Sequence, residues 1–323
     1  MLAVSAVAFD AADPLSGLRV GDMPEPSPPD GWVQVRVKAA GLNRHDLFSL
    51  QGVGLRGDEL PRILGCDAAG IDADGHPVVV HAVIGDADDG HGDAVNDPHR
   101  SLLSERYDGT FAESVVVPAS NVVAKPAELT FEEAACLPTA WLTAYRMVFT
   151  NSGARPGDTV LVQGAGGGVA TAAITLAHAA GLRVWVTSRS EERRARAVSL
   201  GADAAFEPGA RLPERVDAVI ESVGQATWAH SLRVLRPGGT IVVCGATTGD
   251  APSAELARVF YQQLRVVGST MGSREELRQL LSFCVLTGVR PVVDRVLPLG
   301  QARDGFAAMW QGETFGKVVF GIG

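Results

Sequence analysis

The segment Thr159–Ala170 constrains the fold of this chain more than any other stretch. A short run rich in β-branched residues breaks into glycines, and an alanine-rich helical pattern follows. The order of strand, glycine turn and helix is typical of a phosphate-binding turn, because glycines let the backbone approach a pyrophosphate and the helix start presents free N–H groups. Tight turns also use glycine for purely structural reasons, so the context decides the assignment. The candidate contacts are Gly164, Gly166, Gly167, Gly168 and Val169.

A second predicted strand, Arg183–Ser188, follows the helix at the spacing of a βαβ unit. A site that prefers NADH usually has a carboxylate at the end of this strand, whereas this chain has Ser188 and Arg189, with Arg193 a turn further on. Hydroxyl and guanidinium groups suit a phosphate, so the sequence favours NADPH. The alternative is a solvated helix face, which is the interpretation favoured for Arg194 and Arg196.

The bulk properties predict a two-domain enzyme rather than a nucleic-acid-binding or membrane protein. The chain has 323 residues, a formal net charge of -9 and a pI near 5.3, which disfavour nucleic acid and anionic membranes as partners. Its four cysteines lie far apart, as expected in a reducing compartment. Since the N-terminus lacks the features of a signal peptide, we expect a cytoplasmic protein.

The secondary-structure pattern changes along the chain. Short strands separated by Gly and Pro extend to about Ala124, and strands alternate with helices from Thr130 onward. This predicts an α/β protein in which a β-rich domain precedes a doubly wound parallel sheet. The predicted strands are Trp32–Lys38, Val78–Val83, Ala112–Val117, Thr159–Val162, Arg183–Ser188, Asp217–Glu221, Thr240–Cys244, Arg265–Gly268 and Lys317–Phe320. The predicted helices Ala226–Leu235 and Arg274–Val285 end at Pro237–Gly239 and Gly288.

Several motifs together resemble the medium-chain dehydrogenase/reductase superfamily, and within it the zinc-independent quinone oxidoreductases. They are Ala39–Leu47, Leu64–Gly70, Asp108–Glu113, Leu137–Tyr145, the glycine turn, Leu264–Ser269 and Gly316–Phe320. The resemblance implies a GroES-like substrate domain, residues 1–124 and 269–323, around a Rossmann cofactor domain, residues 125–268. It also implies a homodimer paired through the strand near Val266 and Val267.

The zinc-dependent alcohol dehydrogenases of the same superfamily provide the main alternative. At the positions that match their catalytic zinc ligands, this chain has Asn43, Cys66 and Thr139. Of these residue types, only cysteine is a good zinc ligand, so we expect no catalytic metal. The loop that matches their structural zinc lobe contains no cysteine. An improvised metal site is a weaker alternative, and its candidate ligands are His45, Asp46, Asp67 and His81.

Without a Lewis acid, a quinone or an alkene conjugated to a carbonyl accepts hydride more readily than a plain carbonyl does. We therefore expect NADPH-dependent reduction of such an electrophilic small molecule. Asn43 is predicted to donate a hydrogen bond to the substrate oxygen or the nicotinamide ribose, or else to cap a turn. His45 is a candidate proton donor, or else a surface histidine. The resemblance places Thr139 or Thr143 against the nicotinamide.

The loops after two later strands complete the predicted site. Ser222, Gly245 and Ala246 follow strands at the carboxyl edge of the sheet, where ligands bind in this fold class. Three other functions stay open: reduction of an enoyl thioester, zinc-dependent alcohol oxidation, and cofactor binding without catalysis.

Overall fold

The computed structural model describes every residue from Met1 to Gly323 and contains two compact units. The first unit comprises Met1–Ala140 and Met271–Gly323, and the second comprises Trp141–Thr270. The predicted boundary after residue 124 differs, because helix α2, Phe131–Ala134, packs on strands of the first unit. No helix of the chain is both long enough and apolar enough to cross a bilayer.

The first unit is β-rich, as the pattern of short strands predicts. Its strands are β1 Leu2–Ala6, β2 Leu18–Asp22, β3 Trp32–Gly41, β4 Arg62–Ile63, β5 Asp67–Ile71, β6 Pro77–Val80, β7 Val83–Ile84, β8 Ser101–Leu102, β9 Ser114–Pro118, β10 Val122–Ala124, β17 Val293–Pro298 and β18 Lys317–Gly321. The larger sheet has the order β10-β6-β5-β3-β18-β17, and β9 also pairs with β3. Antiparallel pairing of Val319 with Gly41 brings the C-terminal tail into this sheet.

The core of the first unit lies between this sheet and helices from both ends of the chain. The helices are α1 Arg44–Leu50, α2, α8 Arg274–Thr287 and α9 Ala302–Trp310. Phe111 meets the rings of Phe306 and Phe320 edge to face, and all three are buried. Such contacts join the N-terminal and C-terminal segments through buried apolar area. Helix α8 ends at Gly288, whose φ of 74° is the left-handed conformation that glycine adopts readily.

The second unit contains a six-stranded parallel sheet of the Rossmann type. Its order is β13-β12-β11-β14-β15-β16. The strands are β11 Thr159–Gln163, β12 Arg183–Thr187, β13 Ala204–Phe206, β14 Val216–Glu221, β15 Leu235–Val243 and β16 Arg265–Gly268. The strand order reverses between β11 and β14, the kind of switch point at which this fold binds ligands. The helices are α3 Leu142–Tyr145, α4 Gly168–Ala179, α5 Glu191–Ser199, α6 Gln225–Val234 and α7 Leu256–Tyr261.

One predicted strand of this unit begins earlier in the structure. The strand predicted from Thr240 starts at Leu235, and helix α6 already ends at Val234, before the predicted stop at Pro237–Gly239. Leu235 pairs with Val216, and a register shift follows before Thr240 pairs with Ala218. The Pro-Gly-Gly segment is therefore an irregular start of the strand, a position where the loss of a proline N–H is tolerated.

Candidate functional site

The glycine turn joins the central strand β11 to the start of α4. Gly164 has a φ of 85°, which is strained for any residue with a side chain. A Cβ atom on Gly166 would lie 3.0 Å from the Arg193 guanidinium, whereas one on Gly167 would meet nothing within 4 Å. The backbone of Gly167 is thus open to close approach at the N-terminus of a twelve-residue helix. This is the geometry that suits a pyrophosphate.

The end of β12 carries the residues predicted to read a ribose phosphate. Ser188 is buried, and Arg189 is exposed beside it. Ser190 caps α5 by accepting a hydrogen bond from the Arg193 backbone N–H. Arg194 donates to the Ser188 carbonyl at 2.6 Å and is 18% exposed, so it supports this strand end and does not lie on the solvated helix face that was expected. The guanidinium of Arg193 lies over Gly166, which links this strand end to the glycine turn.

Glu221 organises the next loop at the same edge of the sheet. Its fully buried carboxylate accepts hydrogen bonds from the backbone N–H groups of Val223 and Gly224, at 2.8 and 3.1 Å. The hydroxyls of Thr227 and Ser231 donate to it as well. The Glu221 carboxylate therefore fixes the conformation of the loop that begins at Ser222. This role of Glu221 was not predicted from the sequence, although a glutamate directly after the apolar run Ala218–Ile220 is a signal for it.

The two predicted backbone contacts after β14 and β15 lie next to each other. A Cβ atom on Gly245 would be 3.3 Å from the Ser222 carbonyl oxygen, so the loops approach closely. Ala246 lies beside Gly224 in the same way. In the second unit, the predicted residues of the loops after β14 and β15 are thus brought together by close approach of their backbones.

In the first unit, a buried lysine occupies the centre of a polar cluster. The Lys317 ammonium donates to the Leu42 carbonyl at 2.8 Å, to Asn43 Oδ1 at 2.6 Å and to Asp67 Oδ2 at 2.9 Å. The Asn43 amide donates in turn to the Gly41 carbonyl and to Asp67 Oδ2. Both N–H groups of this amide are engaged, which favours the structural alternative for Asn43 over its predicted role as a donor to substrate.

A second polar cluster, formed by Cys66, His45, Glu105 and Ser104, lies at the start of α1. His45 Nδ1 is 3.6 Å from Cys66 Sγ, and His45 Nε2 is 3.1 Å from Glu105 Oε1. Cys66 is fully buried and donates to the Leu103 carbonyl at 3.1 Å. His45 is therefore not a simple surface histidine. Burial lowers the pKa of its ring, but the Cys66 thiol, Glu105 and Asp46 outweigh burial and raise it well above its usual range.

The two threonines differ in their surroundings. Thr139 lies in the π-helical turn Leu137–Trp141 of the first unit, and its buried hydroxyl has no hydrogen-bond partner. Thr143 lies in α3 of the second unit and is buried. Because buried polar atoms are nearly always satisfied in proteins, the Thr139 hydroxyl is suited to bonding a ligand.

A catalytic zinc does not fit the residues at the three matching positions. The Asn43 amide is held by an ammonium group, and Thr139 offers only a hydroxyl. The Cys66 thiol donates a hydrogen bond to the Leu103 carbonyl and lies close to the His45 ring. An amide, a hydroxyl and a thiol beside a buried cation make a poor donor set for zinc.

Comparison with known proteins identifies the family. Residues 29–127 match the alcohol dehydrogenase GroES-like domain, and residues 168–285 match the zinc-binding dehydrogenase family. A zinc-type alcohol dehydrogenase-like protein of Schizosaccharomyces pombe is 32% identical, over 90% of this chain and 91% of its own length. The chain belongs to the medium-chain dehydrogenase/reductase superfamily. It is an oxidoreductase of that type, and the predicted GroES-like and Rossmann folds are confirmed.

Solved structures agree on the fold along the whole chain. An NAD-dependent alcohol dehydrogenase is 36% identical and superimposes with a TM-score of 0.91, with all of both chains covered. The 2-octenoyl-CoA carboxylase reductase CinF, solved with NADP and 2-octenoyl-CoA, is 26% identical with a TM-score of 0.92. The match covers 99% of this chain and 87% of that one. The superfamily thus includes relatives with different substrates and different nicotinamide cofactors.

Proposed function

We propose that this protein is an NADPH-dependent reductase of quinones or α,β-unsaturated carbonyl compounds that works without zinc. The observation that supports this most is the Lys317–Asn43 contact, because it places an ammonium group on the residue that would have to be a metal ligand. Without a Lewis acid, an acceptor that is already electron-poor is the chemically favoured one.

The choice of NADPH is supported by the end of β12. This strand ends at Thr187, and Ser188 follows it where a site for NADH usually has a carboxylate. Arg189 is exposed next to it, and Arg193 lies over the glycine turn. A hydroxyl and two guanidinium groups favour a ribose phosphate.

The nicotinamide would supply the hydride, and the chain's own residues would bind and orient it. We assign the pyrophosphate to the N–H groups of Gly166–Gly168 and Val169, since Gly167 is open and directly precedes α4 as its N-cap residue. The backbone at Ser222, Gly245 and Ala246 is assigned to the other end of the cofactor. The unpartnered Thr139 hydroxyl is assigned to a hydrogen bond with the bound nicotinamide or substrate. Thr143 as a cofactor contact and His45 as a proton donor stay predictions.

Reduction of an enoyl thioester is the second candidate, because CinF was solved with 2-octenoyl-CoA. A CoA ester needs cationic groups for its phosphates, and the candidate groups are Arg44, Arg56, Arg62 and Arg100. Arg56 pairs with Asp58, and Arg62 pairs with Asp108. Arg44 stacks over Phe48 and Trp310, while Arg100 bonds the Asp97 carbonyl. These pairings favour a free enone or quinone over a CoA ester.

The test is a fluorescence titration of the chelator-treated protein with NADPH and with NADH, followed by turnover assays. We expect tighter binding of NADPH and reduction of quinones or enones without added metal. The double substitution Ser188→Asp with Arg189→Ala should weaken NADPH binding at least about tenfold more than NADH binding, which corresponds to about 1.4 kcal/mol. Arg196→Ala is the matched control, since Arg196 lies on α5 at 3.9 Å from Glu192, and both affinities should be unchanged.

Each part of the proposal has its own contrary result. Equal weakening of both cofactors by the double substitution would remove the phosphate assignment. Alcohol oxidation that disappears after chelation and returns with Zn²⁺ would select the alcohol dehydrogenase alternative. A clear preference for enoyl-CoA over simple enones would select the thioester reductase. Tight NADPH binding with no turnover on any acceptor would select a non-catalytic role.

The predicted homodimer is also part of the proposal. Strand β16 ends the parallel sheet, and Val266 on it is half exposed. An exposed edge with an apolar side chain favours pairing with a second copy. Val266→Lys should shift the molecular mass measured by light scattering from dimer to monomer. An unchanged mass would place the interface elsewhere.

A further inference from the structure

Three metal-binding side chains meet in the first unit, and only one of them, Cys66, belongs to the donor set that the zinc-dependent relatives lead one to expect. His45 and Asp46 begin α1, and Cys66 precedes β5. One donor atom from each lies within 4.8 Å of the other two. We propose that these three residues bind a divalent transition metal, Zn²⁺ by preference, at a site that shares Cys66 with the three expected positions but uses His45 and Asp46 in place of Asn43 and Thr139.

The separation of sulfur and nitrogen fits shared coordination of one ion. Zinc bonds of about 2.3 Å to sulfur and about 2.0 Å to nitrogen at a tetrahedral angle place the two ligand atoms about 3.5 Å apart. Cys66 Sγ and His45 Nδ1 are 3.6 Å apart. Both atoms can therefore bind one ion with little movement of either side chain.

The imidazole is oriented as a metal ligand usually is. Glu105 Oε1 holds His45 Nε2 at 3.1 Å, which leaves Nδ1 directed at the thiol. A carboxylate on the far nitrogen of a ligating histidine fixes the ring and strengthens its basicity. Ser104 Oγ lies 3.6 Å from Cys66 Sγ and adds a further oxygen beside the site.

Charge and access support the same assignment. A thiolate from Cys66 and a carboxylate from Asp46 together neutralise a divalent cation, which removes much of the cost of burying it. Cys66 and Asp46 are fully buried, whereas about a fifth of the His45 side chain, 22%, reaches solvent and provides an entry path. In the alternative, metal-free state, the Cys66 thiol stays protonated and donates a hydrogen bond to the Leu103 carbonyl, 3.1 Å away.

The first experiment uses Co²⁺ as a spectroscopic probe on the full-length, chelator-treated protein. We expect one equivalent of Co²⁺ to produce a sulfur-to-cobalt charge-transfer band in the near ultraviolet, which Zn²⁺ then abolishes by displacement. The band should be lost in Cys66→Ser. It should be retained in Cys284→Ser, the matched control, because Cys284 is also buried but lies in α8. No band in the wild-type protein, or a band that survives Cys66→Ser, would overturn the proposal.

A second set of variants separates this site from the expected one. His45→Gln should weaken Co²⁺ binding at least about 100-fold, and Glu105→Gln about 10- to 100-fold through loss of the outer hydrogen bond. Thr139→Val should leave Co²⁺ affinity unchanged. The reverse pattern, with loss in Thr139→Val and none in His45→Gln, would assign the metal to the positions of the zinc-dependent relatives.

Folding is checked separately from binding. Circular dichroism of each metal-free variant shows whether it folds, and Zn²⁺ should raise the Tm of the wild-type protein but not that of His45→Gln. Release of protons on metal binding, measured by calorimetry in two buffers, gives an independent measure of ligand deprotonation, to which both the Cys66 thiol and the His45 ring contribute. The metal proposal does not depend on the reductase proposed above, since neither readout requires turnover.

Discussion

The two units build their polar sites in opposite ways. In the second unit, the candidate cofactor site consists of backbone at the ends of neighbouring strands, and Glu221 bonds loop residues only two to ten positions away along the chain. In the first unit, Lys317 meets Asn43 and Asp67 across 274 and 250 positions of sequence. The first kind of site depends on local chain geometry and the second on the completed tertiary fold.

This difference has an energetic consequence. A site built from backbone groups tolerates changes of many side chains around it. It does not tolerate a side chain added to its glycines, because the ligand approaches the main chain itself. A buried side-chain cluster tolerates little loss, because each removed group leaves a charge or a polar atom without a partner. The two units should therefore respond differently to substitution.

The largest effect is expected from the buried ion pair of the first unit. Lys317→Met leaves the buried Asp67 carboxylate without its cation, so the free energy of unfolding should fall by about 3–5 kcal/mol. Lys317→Met combined with Asp67→Asn should recover part of the loss. The measurement is chemical denaturation, and Arg278→Met is the control, because the Arg278–Glu275 pair is exposed and should contribute less than about 1 kcal/mol.

Equal stability of the single and double variants would show that the pair does not act as a unit. An effect of Lys317→Met below about 1 kcal/mol would show that the first-unit cluster is as tolerant as a surface pair, and the contrast between the units would fail.

The next effect concerns the glycine turn of the second unit. Gly167→Ala adds a methyl group where nothing lies within 4 Å, so stability should hardly change. The same methyl group would project where the cofactor's pyrophosphate approaches, so NADPH binding should weaken about tenfold or more. Fluorescence titration and thermal unfolding measure the two effects on one sample.

Gly300→Ala is the matched control for that variant, since its Cβ would also meet open space but in the first unit. It should change neither binding nor stability. Unaltered NADPH binding by Gly167→Ala would place the pyrophosphate elsewhere.

The same contrast explains what the sequence could predict. The glycine turn, the strands around it and the end of α8 at Gly288 follow from local patterns, and the structure has them within a few residues. The positions of Ser222 and Gly245 could also be predicted from the sequence, because the carboxyl ends of parallel strands share one edge of the sheet. These features require no knowledge of distant contacts.

The first-unit clusters lay beyond the sequence for a physical reason. Nothing near Asn43 indicates that a lysine from the C-terminal strand will occupy its amide oxygen, because that contact exists only once β18 pairs with β3. Likewise, nothing in the sequence indicates that Glu105 is the partner of His45, since only the folded loop after β8 brings its carboxylate to the ring. The family resemblance supplied the positions 43, 66 and 139 but not their partners.

The smallest effect is a dependence on pH that distinguishes the units. His81 in the first unit is buried and contacts the Gly272 carbonyl through Nε2 at 2.8 Å, and burial lowers its pKa, with Arg274 adding to that shift and Asp93 opposing it. His230 in the second unit accepts a hydrogen bond from Gln163 and contacts the Ala210 carbonyl, and burial lowers its pKa too. Because each unfolded imidazole binds a proton more readily than the folded one, stability should fall as pH decreases below 6.5.

His81→Gln should cost roughly 1 kcal/mol at pH 7.5 through a weakened hydrogen bond, and this difference should shrink at pH 5, where the wild-type histidine must stay neutral at a cost. Hydrogen exchange at both pH values locates the effect, and we expect it in the first unit for His81→Gln and in the second for His230→Gln. A difference that grows on acidification would mean that the folded protein stabilises the charged imidazole. A change spread over both units would mean that they open together, so that the local and the long-range polar networks share one cooperative transition.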